Sequence, residues 1–196
     1  MRYSAEHKLE TRARILDAAG RIFRREGYGG SGIEGVTKEA GVTNGAFYGH
    51  FKSKSEAFRT VVLTGLEQLR LAIADMKAAR GKRWLKPFID FYMGAKRTCD
   101  IGESCALPSF SPEVVRADFE TRAAYEAELR RLIDEVSTGL AGGLAKERDD
   151  AAIALLAMLS GGVTLARAVA DPALSERIAR AVTRHAQAVA AGLADE

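Results

Sequence analysis

The chain has little of what builds several classes of protein. Two cysteines in 196 residues, Cys99 and Cys105, are too few for a disulfide scaffold. The three histidines, His7, His50 and His185, stand far apart, so no zinc-ligand spacing arises, and neither metal nor cofactor is expected. The longest stretch without a charged side chain, Ala151 to Ala166, is shorter than the roughly 20 apolar residues that cross a bilayer. Arg2, Glu6 and Lys8 stand where a secretory leader needs an apolar run, so a cytoplasmic location with no membrane partner is expected. Patterns of catalysis are missing as well. There is no Ser/His/Asp set and no paired-carboxylate motif, and the Gly29-Gly30-Ser31-Gly32 run lacks the Lys-Ser/Thr of a phosphate-binding loop. The chain reads as a non-enzyme.

What is present is a globular composition, 47% hydrophobic and 28% charged, which excludes disordered and fibrous classes. The net charge of +3 is small but unevenly placed: residues 1–59 hold 11 Lys/Arg against 7 Asp/Glu, and the remainder 18 against 19. A basic excess confined to the first third suits a surface that faces phosphates, and equally a solvated basic face. Helical periodicity runs through nearly every long segment, and no strand-like alternation is sustained, so the fold is expected to be all-α. Helices are predicted from about Thr11 to Glu26, closed by Gly27; from a Ser31-x-x-Glu34 capping box to Ala40; and from about 54 to 79. Further helices are predicted from Trp84 to Thr98, Asp118 to Leu140, Arg148 to Ala170 and Ala173 to Leu193, with Pro108 and Pro112 keeping the stretch between 100 and 117 short and irregular.

The segment from Ile33 to Phe51 carries the most information. A helix-turn-helix needs apolar residues on the facing sides of two short helices and a turn residue that accepts left-handed dihedrals. Ile33, Val36, Ala40, Val42, Phe47 and Phe51 meet the first need and Gly41 the second. The start of the second helix then projects Thr43, Asn44, Gly45 and Ala46 toward a major groove.

The ordered run from Thr11-Arg-Ala-Arg-Ile-Leu-Asp-Ala-Ala, through Phe23 and Gly27-Tyr28, to Ala40-Gly41-Val42-Thr43 and Tyr48-Gly49-His50-Phe51-Lys52-Ser53-Lys54 resembles the N-terminal domain of TetR/AcrR transcriptional regulators. The resemblance implies a helix-turn-helix domain over 1–53 and a helical effector-binding and dimerisation domain over 54–196. It places Thr43, Asn44, Gly45, Tyr48, His50 and Lys54 at a DNA interface, with Thr37 near a phosphate. Other roles stay open for the same residues: packing for Tyr48 and His50, helix capping for Asn44. Thr37 stands where the family usually has a small residue at the helix crossing.

Glu103-Ser104-Cys105-Ala106-Leu107 through Val114, and Leu159-Ser160-Gly161-Gly162-Val163 through Ala168, resemble one common effector domain of that family, whose last two helices pair with their mates in a dimer. Ala152, Leu155, Leu159, Gly162, Val163 and Ala166 supply a broad apolar face for a homodimer interface, or for a monomer core. Trp84, Phe88, Phe91, Tyr92, Phe110 and Tyr125, with Cys105, are candidates for an effector pocket or for plain core. The resemblance therefore implies a repressor that binds a near-palindromic double-stranded operator and is released by a small-molecule effector. The alternatives are a regulator that senses oxidants or electrophiles through Cys105 or Cys99, and a helical small-molecule carrier without DNA function.

Overall fold

A computed structural model describes residues 5–192, and within them the chain is helical with no strand. The expected end of the last helix at Leu193 lies outside the described residues. The N-terminal unit comprises α1 (Ala5–Gly30), α2 (Ile33–Ala40) and α3 (Asn44–Tyr48). α1 is broken at Gly27, whose φ of 72° suits glycine. The expected capping box at α2 does not form. Ser31 is drawn into the turn that closes α1, with its hydroxyl donating to the Tyr28 carbonyl at 3.2 Å, so Gly32 takes the cap position without a side-chain bond.

α4 (Lys54–Arg80) starts from a Ser53 cap and runs from this unit into the body. The body continues with α5 (Leu85–Met93), α6 (Ala95–Thr98), α7 (Ala106–Val114), α8 (Phe119–Ser137), α9 (Ala145–Ala168) and α10 (Pro172–Gly192). The single helix expected from Trp84 to Thr98 is divided at Gly94, where a Cβ would stand 2.7 Å from the Asp90 carbonyl oxygen. The stretch expected to be irregular around the two prolines is helical. Pro108 lies in the first turn of α7, where a backbone N–H has no partner within the helix to lose, and Pro112 lies close to its end.

Two hydrophobic cores result. Ile15, Ala18, Ala19 and Phe23 of α1 pack with Val36, Phe47 and Phe51, and this core also takes Phe58, Val61 and Val62 from α4 and Ala106, Phe110 and Val114 from α7. The second core joins Leu66 and Ile73 of α4 to α5, α8, α9 and α10. Polar ties reinforce the junction: Arg25 to Asp100 at 3.1 Å, Ser55 to Asp118 at 3.0 Å and Arg59 to Glu120 at 2.6 Å. By length and composition α9 suffices to cross a membrane. In the fold its buried residues close the body core against α10, and at Gly162 the two helices come so close that a Cβ would meet Val182 at 2.8 Å.

Candidate functional site

The turn between α2 and α3 is made by Gly41, whose φ of 65° and ψ of 38° are left-handed, with the Gly41 and Val42 amides donating to carbonyls of α2. Thr43 caps α3, its hydroxyl accepting from the Ala46 amide at 3.2 Å, so the cap role open to Asn44 falls to its neighbour. Phe47 anchors α3 from below, 1% exposed, with its ring 5.6 Å from that of Phe51 and edge-on to Tyr48 at 5.5 Å. Because Phe47 takes the buried face, Thr43, Asn44, Gly45 and Tyr48 are left on the exposed one.

The remaining expected contacts sit differently. Thr37 is buried at the helix crossing, and its hydroxyl lies 2.8 Å from Asn44 Oδ1 and 3.1 Å from the Glu34 carbonyl. The crossing thus accommodates threonine by giving its hydroxyl acceptors, and a bond to the Asn44 oxygen leaves that side chain's NH2 as a donor. His50 is half-buried at the end of α3. Lys54 turns inward: its ammonium bonds the Ser31 carbonyl at 2.6 Å and the Tyr28 carbonyl, and lies 4.4 Å from the centre of the Tyr28 ring. That geometry clamps the end of α1 to the start of α4. Three further cations flank the region: Lys38 on α2, Lys52 beside α3, and Arg12, whose guanidinium lies 5.0 Å from the Phe51 ring centre. All three are exposed and none is in an ion pair among the described residues. The family resemblance pointed to Lys54 and assigned no role to Lys52. Only the direction of α4 separates the two lysines.

The candidate pocket residues divide among three settings. Phe91, Tyr92 and Cys105 share the wall of a cavity of about 390 Å³ between α1, α4, α5 and the start of α7. Tyr125, paired with Ser111 at 2.7 Å, lines a smaller and mainly apolar cavity of about 230 Å³ with Leu129, Ile133 and Leu156. Trp84, Phe88 and Phe110 line neither. Trp84 donates its indole N–H to the Gly139 carbonyl at 2.8 Å, Phe88 stacks between Trp84 and Tyr92, and Phe110 belongs to the N-terminal core. Burial pushes the Cys105 thiol up from its ordinary value, although the Tyr92 hydroxyl, donating to its sulfur at 3.2 Å, draws it partly back. Tyr92 is held well above the ordinary tyrosine value, first by burial and then by the neighbouring sulfur. Cys99 is half-buried beside Arg167, whose Nη2 lies 3.1 Å from its sulfur.

The six residues expected at a dimer interface all lie inside the protomer. Ala152, Leu155, Leu159, Val163 and Ala166 are at most 3% exposed, and Gly162 is pressed against Val182. Apolar character on α9 extends round the helix, and these residues occupy the side facing α10 and α5. The opposite side presents Ile153, Ala157, Gly161, Thr164 and Leu165 to solvent, continued on α10 by Leu174.

Comparison with known proteins agrees with the residues and the fold. The sequence pattern of bacterial regulatory proteins of the tetR family matches residues 15–61. The uncharacterized HTH-type transcriptional regulator YfiR of Bacillus subtilis is 36% identical over 122 residues, which are 61% of this chain and 58% of YfiR. The HTH-type transcriptional regulator AcrR of Shigella flexneri is 42% identical over 60 residues, 31% of this chain and 28% of AcrR. The chain thus spans little more than half of one curated relative and about a quarter of the other. In fold it is similar over almost its whole length to a TetR-family regulator of Cytophaga hutchinsonii, with a TM-score of 0.78 at 16% identity, covering 98% of each chain. Signature, helix order and exposed face of α3 converge: residues 15–61 match the tetR-family pattern of bacterial regulatory proteins and form a helix-turn-helix DNA-binding domain, and the whole chain has the fold seen in TetR-family regulators.

Proposed function

We propose that the protein is a repressor that binds a near-palindromic duplex as a homodimer and is released by a small molecule held in the helical body. The observation that supports this reading most directly is the surface of α3: four exposed residues of differing polarity stand on a rigid aromatic base, at the height where a helix enters a major groove. Thr43, Asn44, Gly45 and Tyr48 are assigned to the groove and its edges, Lys52, Lys38 and Arg12 to the phosphates, and Lys54 to holding α4 against α1. A homodimer through the outer side of α9 and α10 would set two such helices roughly 34 Å apart or somewhat more, one turn of duplex. A route to release is suggested by the position of α4, which starts against α1 and forms part of the wall of the cavity in the body. A ligand that shifts α4 against α1 changes the spacing between the two recognition helices.

The cysteine-sensing alternative is disfavoured by the environment of Cys105, because a buried, protonated thiol reacts slowly. The test is selection of bound duplex fragments from the source genome, followed by titration of the selected site at several salt concentrations. A steep fall of affinity with salt and a preference for one inverted repeat are expected. Failure to bind any duplex at low salt would leave the carrier reading in its place.

A further inference from the structure

Arg24 is the unusual cation of this fold. It projects from α1 into the junction with the body, between the 390 Å³ cavity and a second of about 240 Å³ along α4, and lines both. Its neighbour Arg21 is held by Asp17 and by Glu39 at 2.8 Å, and Arg25 by Asp100 at 3.1 Å. Arg24 makes no ion pair among the described residues, and its Nε is buried without a hydrogen-bond partner. Two glycines make room for the group: a Cβ at Gly20 would meet Arg24 Nη1 at 2.9 Å, and one at Gly65 would lie 3.6 Å from Nη2. One face of the guanidinium rests on the Phe110 ring, 4.8 Å from its centre, which leaves its N–H edge for an acceptor. Burial depresses the Arg24 pKa, the direction of a cation short of counter-charge.

We propose that the cavity between α1, α4, α5 and α7 binds a small organic monocarboxylate, its carboxylate paired with the Arg24 guanidinium and its apolar part against Leu69, Ala72 and Phe91. This rests on the effector-release reading and gives that effector a chemical class. Arginine's planar fork matches a carboxylate in two parallel hydrogen bonds. The charges on the cavity wall narrow the choice. Arg21 and Lys96 accompany Arg24, while Asp17 and Glu103 oppose them, so one negative charge is matched and the second charge of a phosphate dianion is left unmatched. The volume is at the low end of the roughly 300–1,000 Å³ of small-molecule sites. The site also spans the junction: Arg24 belongs to α1 of the DNA-binding unit, while Leu69, Phe91 and Tyr92 belong to the body, so occupancy bears on the relative placement of the two.

The full-length protein is titrated calorimetrically with octanoate and phenylacetate, and with octanol and phenylethanol as uncharged counterparts. Each carboxylate is expected to bind about tenfold or more tightly than its alcohol, the range of a hydrogen bond to a charged group. In Arg24→Gln that preference disappears while the alcohols bind as before. The Arg24→Met protein is expected to melt no lower than wild type, because no ion pair is lost. Equal binding of acids and alcohols by wild type overturns the proposal, as does a carboxylate preference that survives in Arg24→Gln. A large fall in melting temperature for Arg24→Met, without any preference in wild type, would make Arg24 a packing residue and overturns it too. Duplex release is read separately. Carboxylate binding that leaves duplex affinity unchanged supports the site and counts against the release reading, whereas release by the alcohols alone supports release and overturns the site.

Discussion

The outer face of α3 and the junction beneath α1 hold polar groups under opposite conditions. On α3, Thr43, Asn44 and Tyr48 stand in water on a closed aromatic base; Thr43 caps the helix and Asn44 accepts from the buried Thr37 hydroxyl, while Tyr48 is held only by its ring against Phe47. In the junction, Arg24, Tyr92 and Cys105 share a space largely shielded from water, and each sets the electrostatic surroundings of the next. Substitution at Tyr48 should therefore be cheap for the fold. A substitution in the junction must be negotiated with the stability of the fold.

The largest contrast expected is between neighbours on α3. Phe47→Ala empties a core position and should cost about 3–5 kcal/mol in urea denaturation. Tyr48→Ala should cost under about 1 kcal/mol yet weaken duplex binding about tenfold, the weight of a modest contact. Equal stability losses in the two variants would break the comparison. The two sides of α9 extend it to the body. Leu159→Glu buries an unpaired charge and should unfold the chain, whereas Ala157→Glu, on the exposed side, should leave helical circular dichroism intact while sedimentation reports monomers. A folded dimer with glutamate at 157 would move the interface elsewhere.

Smaller effects separate the two lysines. Lys52→Ala should reduce the salt slope of duplex binding by about 1 with little change in stability. Lys54→Ala should leave the slope alone and cost about 1–2 kcal/mol, because two carbonyls at the end of α1 lose a charged donor. An exchange of these outcomes would return the phosphate contact to Lys54. The smallest effect concerns pH. Since burial holds the Cys105 thiol above its ordinary value, the unfolded chain gives up that proton first. The contribution is intact below the unfolded thiol value of about 8.5 and is lost as pH rises toward the folded value, at no more than about 1.4 kcal/mol per pH unit. Thermal melts of Cys105→Ala should show a flatter alkaline limb than wild type, with Tyr92 sustaining a decline above a pH of about 10. Identical limbs would place the thiol in contact with water.

How much of this was legible depended on where a residue's environment is decided. The helix-turn-helix could be read because its period, its turn glycine and its exposed positions are all local to about 20 residues, and the structure shows Gly41 left-handed and Phe47 buried accordingly. The side of α9 that faces inward could not be read, since apolar residues surround the helix and periodicity loses its contrast. Around α5 the expected aromatic face is really centred between Phe88 and Ile89, which leaves Phe91 on its rim, 44% exposed. Proline misled for a positional reason. At the first turn of α7 it costs no hydrogen bond, and the start of that turn was hidden until Cys105 was seen to precede it in extended form. Arg24 left no trace in the pattern, because its neighbours across the junction come from residues 65 and 110, far along the chain.

The contact between Gly65 and Ala106 has a use outside the molecule's own regulation. A Cβ on residue 65 would stand 2.5 Å from that of Ala106, so even a methyl group acts as a wedge between α4 and α7, the helix whose Phe110 is seated in the DNA-binding core. For anyone building a biosensor from this chain, residue 65 is therefore the tuning screw. Under the release reading, side chains of graded size there would bias the resting state toward the released arrangement and at the same time narrow the cavity that residue 65 itself lines beside Arg24, so resting state and ligand affinity would shift together while the exposed residues of α3 stay as they are.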